Sequence, residues 1–318
     1  MMEYVYESIV LTSIDVVDSP TPESLNRVVF SASTPGKKND TNATFIHKVK
    51  DVIDNANGER SGLLEAEKLL PSEVQAIINA ESSDDKEKST SNVNVNRKVL
   101  FSVHGFNGNP RGYLLQIKYV EERFQKFKLI PVLWPSAGSM LGYFIDRSFS
   151  KGAGKAFQSI VEPIQTFEKS LLCHSMGNLV LRKFANSSYT FDNIFMVAPD
   201  LESKIFHETY IEGGNQEWRK DGLNITKMLN SKKEGGKVHV LYNKNDSDLL
   251  LSTVVNMKSR LGREGISLDG CCFGGDLKLH DEVKDKIETV DWTNNSPSNS
   301  HNYQFDWSVV AYYESQYI

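Results

Sequence analysis

Residues Ser170–Asn178 read Ser-Leu-Leu-Cys-His-Ser-Met-Gly-Asn, and this stretch decides the expected fold. A short apolar run ends at Cys173, the next residues form a tight corner, and a helical pattern begins at Asn178. Strand, sharp turn and helix with a serine at the apex is the arrangement called a nucleophile elbow. The stretch therefore predicts that Ser175 presents its Oγ to a substrate at the carboxyl end of a strand.

The chemistry of an elbow explains these residue types. A serine hydroxyl is a weak nucleophile until a base removes its proton, and the following helix directs N–H groups at a developing oxyanion. Cys173 stands where this motif usually has glycine, but it is small enough to fit a strained turn. A helix-capping Ser175 is the ordinary alternative. Cys173 itself is a weaker nucleophile candidate because it precedes the corner and should point into the sheet.

Composition limits the class of protein. The 318 residues allow one large α/β domain or two small ones, and 39% are hydrophobic, which is enough for a sizeable core. The net charge of −5 with interspersed signs argues against a nucleic-acid partner. No apolar run approaches the ~18 residues of a transmembrane helix, so we expect no integral membrane segment.

The lack of a visible secretory signal and the small number of cysteines favour a cytoplasmic location. The start of the chain has neither a basic region nor an apolar region typical of a secretory signal. The three cysteines, Cys173, Cys271 and Cys272, do not make a disulfide framework. The sequence sets no oligomeric state.

From residue 98 onward, short apolar strands alternate with helical stretches. The predicted strands are Lys98–Val103, Leu129–Trp134, Asn193–Ala198, Lys237–Tyr242 and Lys286–Trp292. The predicted helices include Tyr113–Phe127, Ala153–Phe167, Leu249–Leu261 and Trp307–Tyr317. This alternation predicts a mostly parallel central sheet with helices on both faces. Ligands of such sheets bind beyond the carboxyl ends of the strands.

The first part of the chain is less regular. Glu3–Thr12 reads as a strand, whereas Phe45–Ile53 and Glu65–Ala80 have helical patterns. Residues 81–97 are charged and rich in serine and asparagine, which is typical of a loop. We therefore expect a single domain over 1–318, with a polar insertion at about 36–97 and a possible cap at about 201–236.

A serine nucleophile in this fold needs an acid and then a histidine later in the chain. Asp246 follows the predicted strand Lys237–Tyr242 and is the favoured acid. Asp200, after the preceding strand, and Asp248 are the alternatives. Asp248 lies just before an apolar helical run, so it is the better candidate for a helix cap.

His301 is the favoured base because it lies in a polar loop after the last predicted strand. His104 and His174 precede or adjoin the serine and are out of order. The oxyanion hole is expected to use the backbone N–H of Met176 and of Phe106, which follows a predicted strand.

Motifs for cofactors and metals are lacking. Asp200, Glu202 and His207 are a weak metal-site candidate because no His-Glu-x-x-His or Cys-x-x-Cys spacing supports them. The paired glycines have no phosphate-loop context. We expect no cofactor and no metal.

Several of these motifs together resemble a bacterial α/β-hydrolase family that is known only as a domain of unknown function. The matching segments are Val103–Asn107, Leu133–Arg147, His174–Asn178, Ala198–Asp200, Tyr242–Ser252, Arg260–Gly265 and Ser300–Tyr303. The most specific of them begins Leu-Trp-Pro-Ser-Ala-Gly. The resemblance implies a serine-hydrolase-like fold with Ser175, Asp246 and His301 in the matching positions, and it implies no substrate.

The expected function is therefore that of a cytoplasmic serine hydrolase. Its targets would be ester or thioester bonds of a small-molecule or lipid-like acyl substrate, cleaved through an acyl-enzyme on Ser175. Two alternatives stay open at this point. One is a catalytically inactive binding module that keeps the fold, and the other is an acyltransferase with the same residues and a different acceptor.

Overall fold

A computed structural model describes most elements of the chain. The described residues are 2–12, 45–54, 64–69, 98–106, 127–134, 143–162, 168–185, 188–207, 221–232, 234–256, 258–266, 281–295 and 300–316, with the single residues 72, 73, 76, 113, 116, 117, 120 and 279. The chain divides into two compact units, Met1–Glu168 and Lys169–Ile318.

The first unit contains strands of both orientations. They are β1 (Met2–Thr12), β2 (Phe45–Asp54), β3 (Leu64–Leu69), β4 (Lys98–Val103) and β5 (Phe127–Leu133), in the spatial order β3-β2-β1-β5-β4. β4, β5 and β1 run parallel, whereas β2 and β3 are antiparallel additions at the β1 side. Helix α1 (Tyr143–Val161) follows β5.

The helix predicted at Phe45–Ile53 is wrong, and the helix predicted at Glu65–Ala80 is wrong in its first residues. Phe45–Ile53 is a strand that pairs with β1 from Met2↔Asp54 to Thr12↔Phe45, and the first residues of Glu65–Ala80 form β3. The β-branched residues of β2 suit a pleated surface, and cross-strand pairing outweighs the weak helical pattern. Ser72, Glu73 and Ala76 are helical, as predicted.

A buried histidine connects the ends of β4 and β5. His104 accepts a hydrogen bond at Nε2 from the backbone N–H of Trp134 (3.1 Å), and the Trp134 indole N–H donates to the His104 carbonyl (2.7 Å). Their rings stack at 5.3 Å between centroids. Burial lowers the pKa of His104 to about 4, so its ring is neutral. This residue therefore joins the segments that carry the His-Gly-Phe-Asn and Trp-Pro-Ser motifs.

The second unit is built on parallel strands. These are β6 (Lys169–His174), β7 (Ile194–Val197), β8 (Val238–Tyr242) and β9 (Ile287–Asp291), paired in chain order. The helices are α2 (Gly177–Phe184), α3 (Asp221–Lys227), α4 (Ser247–Asn256), α5 (Leu261–Glu264), α6 (Asp281–Lys284) and α7 (Trp307–Ser315). The mostly parallel α/β architecture predicted from residue 98 onward is confirmed.

Burial in this unit follows the sheet. Every residue of β7 is buried, as are all but the first of β6, whereas β9 is half exposed as an edge strand. Parallel strands covered on both faces read as continuous apolar runs, which is the pattern of β6 to β8.

The pairing register brings four strand ends to one edge of this sheet. His174 is opposite Val197, and Tyr242 is opposite Asp291, so the segments that follow all four strands leave the sheet on the same side. Those segments carry Ser175, Asp200 and Asp246, and the chain after β9 leads to His301. Ligand sites of parallel sheets lie at this edge.

Two further features bear on the predicted organisation. The possible cap at 201–236 contains α3, and its residues 208–220 lie outside the described part of the chain, as do residues 81–97. None of the helices in the described ranges has the length and hydropathy needed to cross a bilayer.

Candidate active site

Ser175 has the backbone of a strained turn. Its φ is 50°, in the left-handed region that residues other than glycine rarely adopt, at a cost of about 1–2 kcal/mol. Its N–H donates to the Val197 carbonyl at 2.9 Å, which fixes the corner to the end of β7. Cys173 has no positive φ, so its side chain imposes no backbone strain of that kind.

Asn178 holds the corner from inside. Its side-chain amide donates to the carbonyls of Cys173 and Ser175, both at 3.0 Å. The backbone N–H of Asn178 (3.1 Å) and that of Asp200 (3.2 Å) also donate to the Ser175 carbonyl. Asn178 is fully buried, so these bonds are shielded from water. The strained turn is therefore stabilised by its neighbours on two sides.

Asp246 and His301 form a short hydrogen bond. His301 Nδ1 lies 2.6 Å from Asp246 Oδ2, and the Asp246 side chain is fully buried. The other carboxylate oxygen, Oδ1, accepts the N–H of Leu249 at 2.9 Å and so caps α4. We expected Asp248 to be the better cap, and that expectation is wrong: Asp248 is exposed, and Asp246 caps the helix while also holding the histidine.

The surroundings of His301 tune its protonation. Burial lowers the pKa of this ring, but the hydrogen bond to Asp246 and the negative charges of Asp246, Asp248 and Asp200 together raise the pKa above its ordinary value of 6.5. His301 is thus a stronger base than a solvent-exposed histidine.

Asp200, an alternative acid, has other partners. Its Oδ1 accepts the Ser252 hydroxyl at 2.6 Å and lies 3.3 Å from Arg260 Nε. The side chains of Asp200 and Arg260 are 4% and 1% exposed, so the pair is buried. Asp200 therefore neutralises an interior arginine, and Asp246 makes the contact with His301 Nδ1.

Ser175, the candidate nucleophile, is linked to His301, the candidate base, through His174. His174, adjacent to Ser175, places its ring 4.9 Å from that of His301 between centroids. Among the described residues, no hydrogen bond joins Ser175 Oγ to His301 Nε2. Such bonds are often long in enzymes without substrate and tighten in the complex.

A family comparison adds to this geometry. The family described as "Alpha/beta hydrolase of unknown function (DUF900)" matches residues 81–269. The chain belongs to this family. Membership confirms both the predicted resemblance and the α/β-hydrolase fold, and it makes a hydrolase-like function the coarse assignment. The matched range includes Ser175 and Asp246.

Solved α/β structures are also similar to this family member. A putative cell surface hydrolase from Lactobacillus plantarum WCFS1 is 10% identical, with 69% of this chain and 90% of that chain covered and a TM-score of 0.41. TT1662 from Thermus thermophilus is 11% identical, with 69% and 89% covered and a TM-score of 0.39. MenH from S. aureus is 12% identical, with 70% and 95% covered and a TM-score of 0.36. No functionally curated protein matches the chain.

The two predicted oxyanion donors lie in different units of this α/β hydrolase. Met176 is fully buried and precedes α2, with φ −63° and ψ −19°. Phe106 follows β4 and packs its ring against Tyr143 at 5.7 Å between centroids. Their joint action stays a prediction.

The remaining candidates have structural partners. Glu202 pairs with Lys258, and Asp200 pairs with Arg260, so these carboxylates of the weak metal candidate are already engaged. In the described ranges, no group of three or more histidine, cysteine, aspartate or glutamate side chains is arranged to hold a metal. Burial raises the pKa of the Cys173 thiol well above its ordinary value, which argues against a cysteine nucleophile.

The contributions of His174, Asn178 and Arg260 were not predicted from the sequence. The only sequence signal for His174 and Asn178 is that they lie within the elbow motif around Ser175. Arg260 is distant in sequence from Asp200, and only the fold brings the two together.

Proposed function

We propose that this protein is a serine hydrolase that cleaves ester or thioester bonds through an acyl-enzyme on Ser175. The single observation that supports this most strongly is the 2.6 Å hydrogen bond between Asp246 and His301, because it orients a histidine base at the edge where Ser175 lies. The strained backbone of Ser175 supports the same role, since strain of this kind is concentrated at functional turns.

In the proposed mechanism, Ser175, His301 and Asp246 have different roles. His301 Nε2 takes the proton of Ser175 Oγ as the oxygen attacks the substrate carbonyl. Asp246 accepts a hydrogen bond from the Nδ1–H group of His301. This bond fixes the tautomer of His301 and stabilises its imidazolium form. His301 then gives its proton to the leaving group, and the same base activates water for deacylation. The N–H group of Met176 is the proposed oxyanion donor of this unit, and the role of Phe106 stays a prediction.

The proposed substrate carries an apolar, lipid-like acyl group. Helix α4, which Asp246 caps, exposes large apolar side chains: Leu250, Leu251, Val254 and Val255, which are 44% to 67% exposed. Exposed apolar groups concentrated on one helix are typical of interaction surfaces. A series of p-nitrophenyl esters from acetyl to decanoyl tests this substrate class through the change of kcat/KM with chain length. We propose the cytoplasm as the location.

A fluorophosphonate probe should label the wild-type protein at Ser175, and Ser175→Ala should abolish labelling because the attacking oxygen is gone. The matched control is Ser203→Ala. Ser203 is also buried, and its hydroxyl is hydrogen-bonded to that of Ser259 at 2.6 Å. This control should lose about 1 kcal/mol of stability and keep its labelling. Labelling is read by intact-protein mass spectrometry.

The same experiment distinguishes the alternatives. A folded wild-type protein that reacts with no probe would contradict the hydrolase proposal and favour a binding module. An acyltransferase would also be labelled, but it would form more product when an alcohol or amine acceptor is added. Labelling that persists in Ser175→Ala would place the nucleophile elsewhere.

Activity should rise with pH through the raised pKa of His301, because only the neutral ring accepts the serine proton. The midpoint of the acidic limb of kcat/KM should therefore lie above 6.5. Since the folded-state pKa is raised, the stability that His301 contributes is complete below pH 6.5 and is lost as the pH rises through the folded value. A pH–rate profile and urea titrations across this range measure both effects. An acidic midpoint below 6.5 would contradict the assignment.

A further inference from the structure

His174 connects the elbow to the loop that carries the proposed base. It is the last residue of β6, directly before Ser175, and only 4% of it is exposed. Its Nε2 lies 3.0 Å from the backbone carbonyl oxygen of His301. A carbonyl only accepts hydrogen bonds, so the imidazole N–H of His174 must be the donor. The residue beside the nucleophile therefore holds the main chain of the base.

This contact completes a set of restraints on residues 300 and 301. Asp246 holds the His301 ring at Nδ1 (2.6 Å), and the Asn243 amide donates to the Ser300 carbonyl at 3.1 Å. Those two restraints come from the end of β8. The His174 bond is the restraint that comes from β6, the strand that also carries Ser175. Without this hydrogen bond, the other contacts of residues 300 and 301 fix the loop relative to Asp246. They leave the distance between His301 and Ser175 less defined.

We propose that His174 is a positioning residue, which sets the distance between His301 and Ser175 by donating a hydrogen bond to the His301 carbonyl; this inference rests on the proposed function. Proton transfer is sensitive to such distances, and a misplacement of about 1 Å costs on the order of 100-fold in rate. His174 does not itself exchange a proton with substrate.

Two variants separate hydrogen bonding from packing. His174→Phe keeps an aromatic ring in the buried site and removes the donor. His174→Gln loses the ring and keeps an N–H near the position of Nε2. If the bond is what matters, the Phe variant should lose about 10- to 100-fold in kcat with little change in KM, and the Gln variant should recover most of the loss. If the ring only fills space, the Gln variant should lose more kcat than the Phe variant, and this result would overturn the proposal.

Amide hydrogen exchange of residues 300–306 gives a readout that does not depend on activity. The Phe variant should exchange faster in this segment than the wild type, and the Gln variant should resemble the wild type, while peptides from β7 stay unchanged in both. Unchanged exchange in the Phe variant would overturn the proposed restraint, even for a protein that no fluorophosphonate labels. Absent labelling of the wild type would instead contradict the serine-hydrolase proposal, so the two failures are distinguishable.

Discussion

Asp246→Asn should lower kcat/KM about 10⁴-fold and leave the protein folded. Asparagine has almost the same shape as aspartate, but its amide carries no charge to stabilise an imidazolium. Its NH₂ group facing His301 Nδ1 would favour the tautomer with the proton on Nε2, where the base must be free to accept. Steady-state kinetics and the rate of fluorophosphonate labelling measure the loss.

The structure explains why this variant should keep its stability. Asp246 Oδ1 accepts the Leu249 N–H at the start of α4, and asparagine is as good a cap as aspartate. The side chain is fully buried, but the replacement removes no volume from the core. The melting temperature and circular dichroism spectrum should therefore remain close to those of the wild type.

The other two candidate acids are matched controls. Asp248→Asn changes an exposed side chain and should alter stability by no more than about 0.5 kcal/mol, with activity near the wild-type level. Asp200→Asn leaves the buried Arg260 without its counter-charge and should cost about 3–5 kcal/mol of stability. Loss of labelling in Asp248→Asn, with Asp246→Asn still active, would contradict the choice of acid.

The sequence located the candidate site because of the geometry of parallel sheets. Each candidate follows a short apolar run, and the carboxyl ends of parallel strands meet at one edge. It was therefore enough to recognise β6, β7, β8 and β9 in order to expect Ser175, Asp246 and His301 near each other. The Asp246–His301 contact is consistent with that expectation, and the catalytic roles stay predictions.

The sequence did not predict that Asp246 both caps α4 and contacts His301. A carboxylate has two oxygens, so a helix cap and a histidine partner need not be different residues. From the sequence alone, the two roles compete for Asp246, and Asp248 is the predicted cap. In the folded protein, one oxygen of Asp246 accepts the Leu249 N–H and the other is hydrogen-bonded to His301.

The errors in the first unit have a different cause. β2 and β3 carry apolar residues at spacings that fit either a helix or a strand, and their pairing partners lie far away in sequence. Local patterns do not report such pairing, which is decided by tertiary contacts. The second unit was easier because β6, β7 and β8 are short, continuous apolar runs that are buried on both faces.

Several restraints converge on the loop after β7. Ala198 has a φ of 43°, and its N–H donates to Leu241, while Asp200 donates from its N–H to the Ser175 carbonyl. On the far side, Gly262 donates its N–H to the Pro199 carbonyl at 2.9 Å. The start of α5 thus supports the loop that supports the elbow. Close approach of α5 is a condition for the geometry of Ser175.

Gly262→Ala should therefore destabilise the protein by about 3 kcal/mol or more and also lower its activity. A Cβ at this position would lie 2.3 Å from the Ala198 carbonyl carbon and 2.4 Å from the Pro199 nitrogen, which are backbone atoms that no side-chain rotation can move. Relief requires a shift of the Ala198–Asp200 loop, and the Asp200 N–H bond transmits that shift to Ser175. Urea unfolding gives the stability change, and labelling rates in the remaining folded protein give the change at the elbow.

Gly235→Ala is the matched control because it separates backbone conformation from crowding. Gly235 has a φ of +81° and no atom within 4 Å of an added Cβ, so alanine there costs only the left-handed conformation, about 1–2 kcal/mol. Gly262 has no positive φ, and its cost would come from contact alone. Labelling should be unchanged in Gly235→Ala and reduced in Gly262→Ala. Equal stability losses with unchanged labelling in both would show that α5 does not support the elbow.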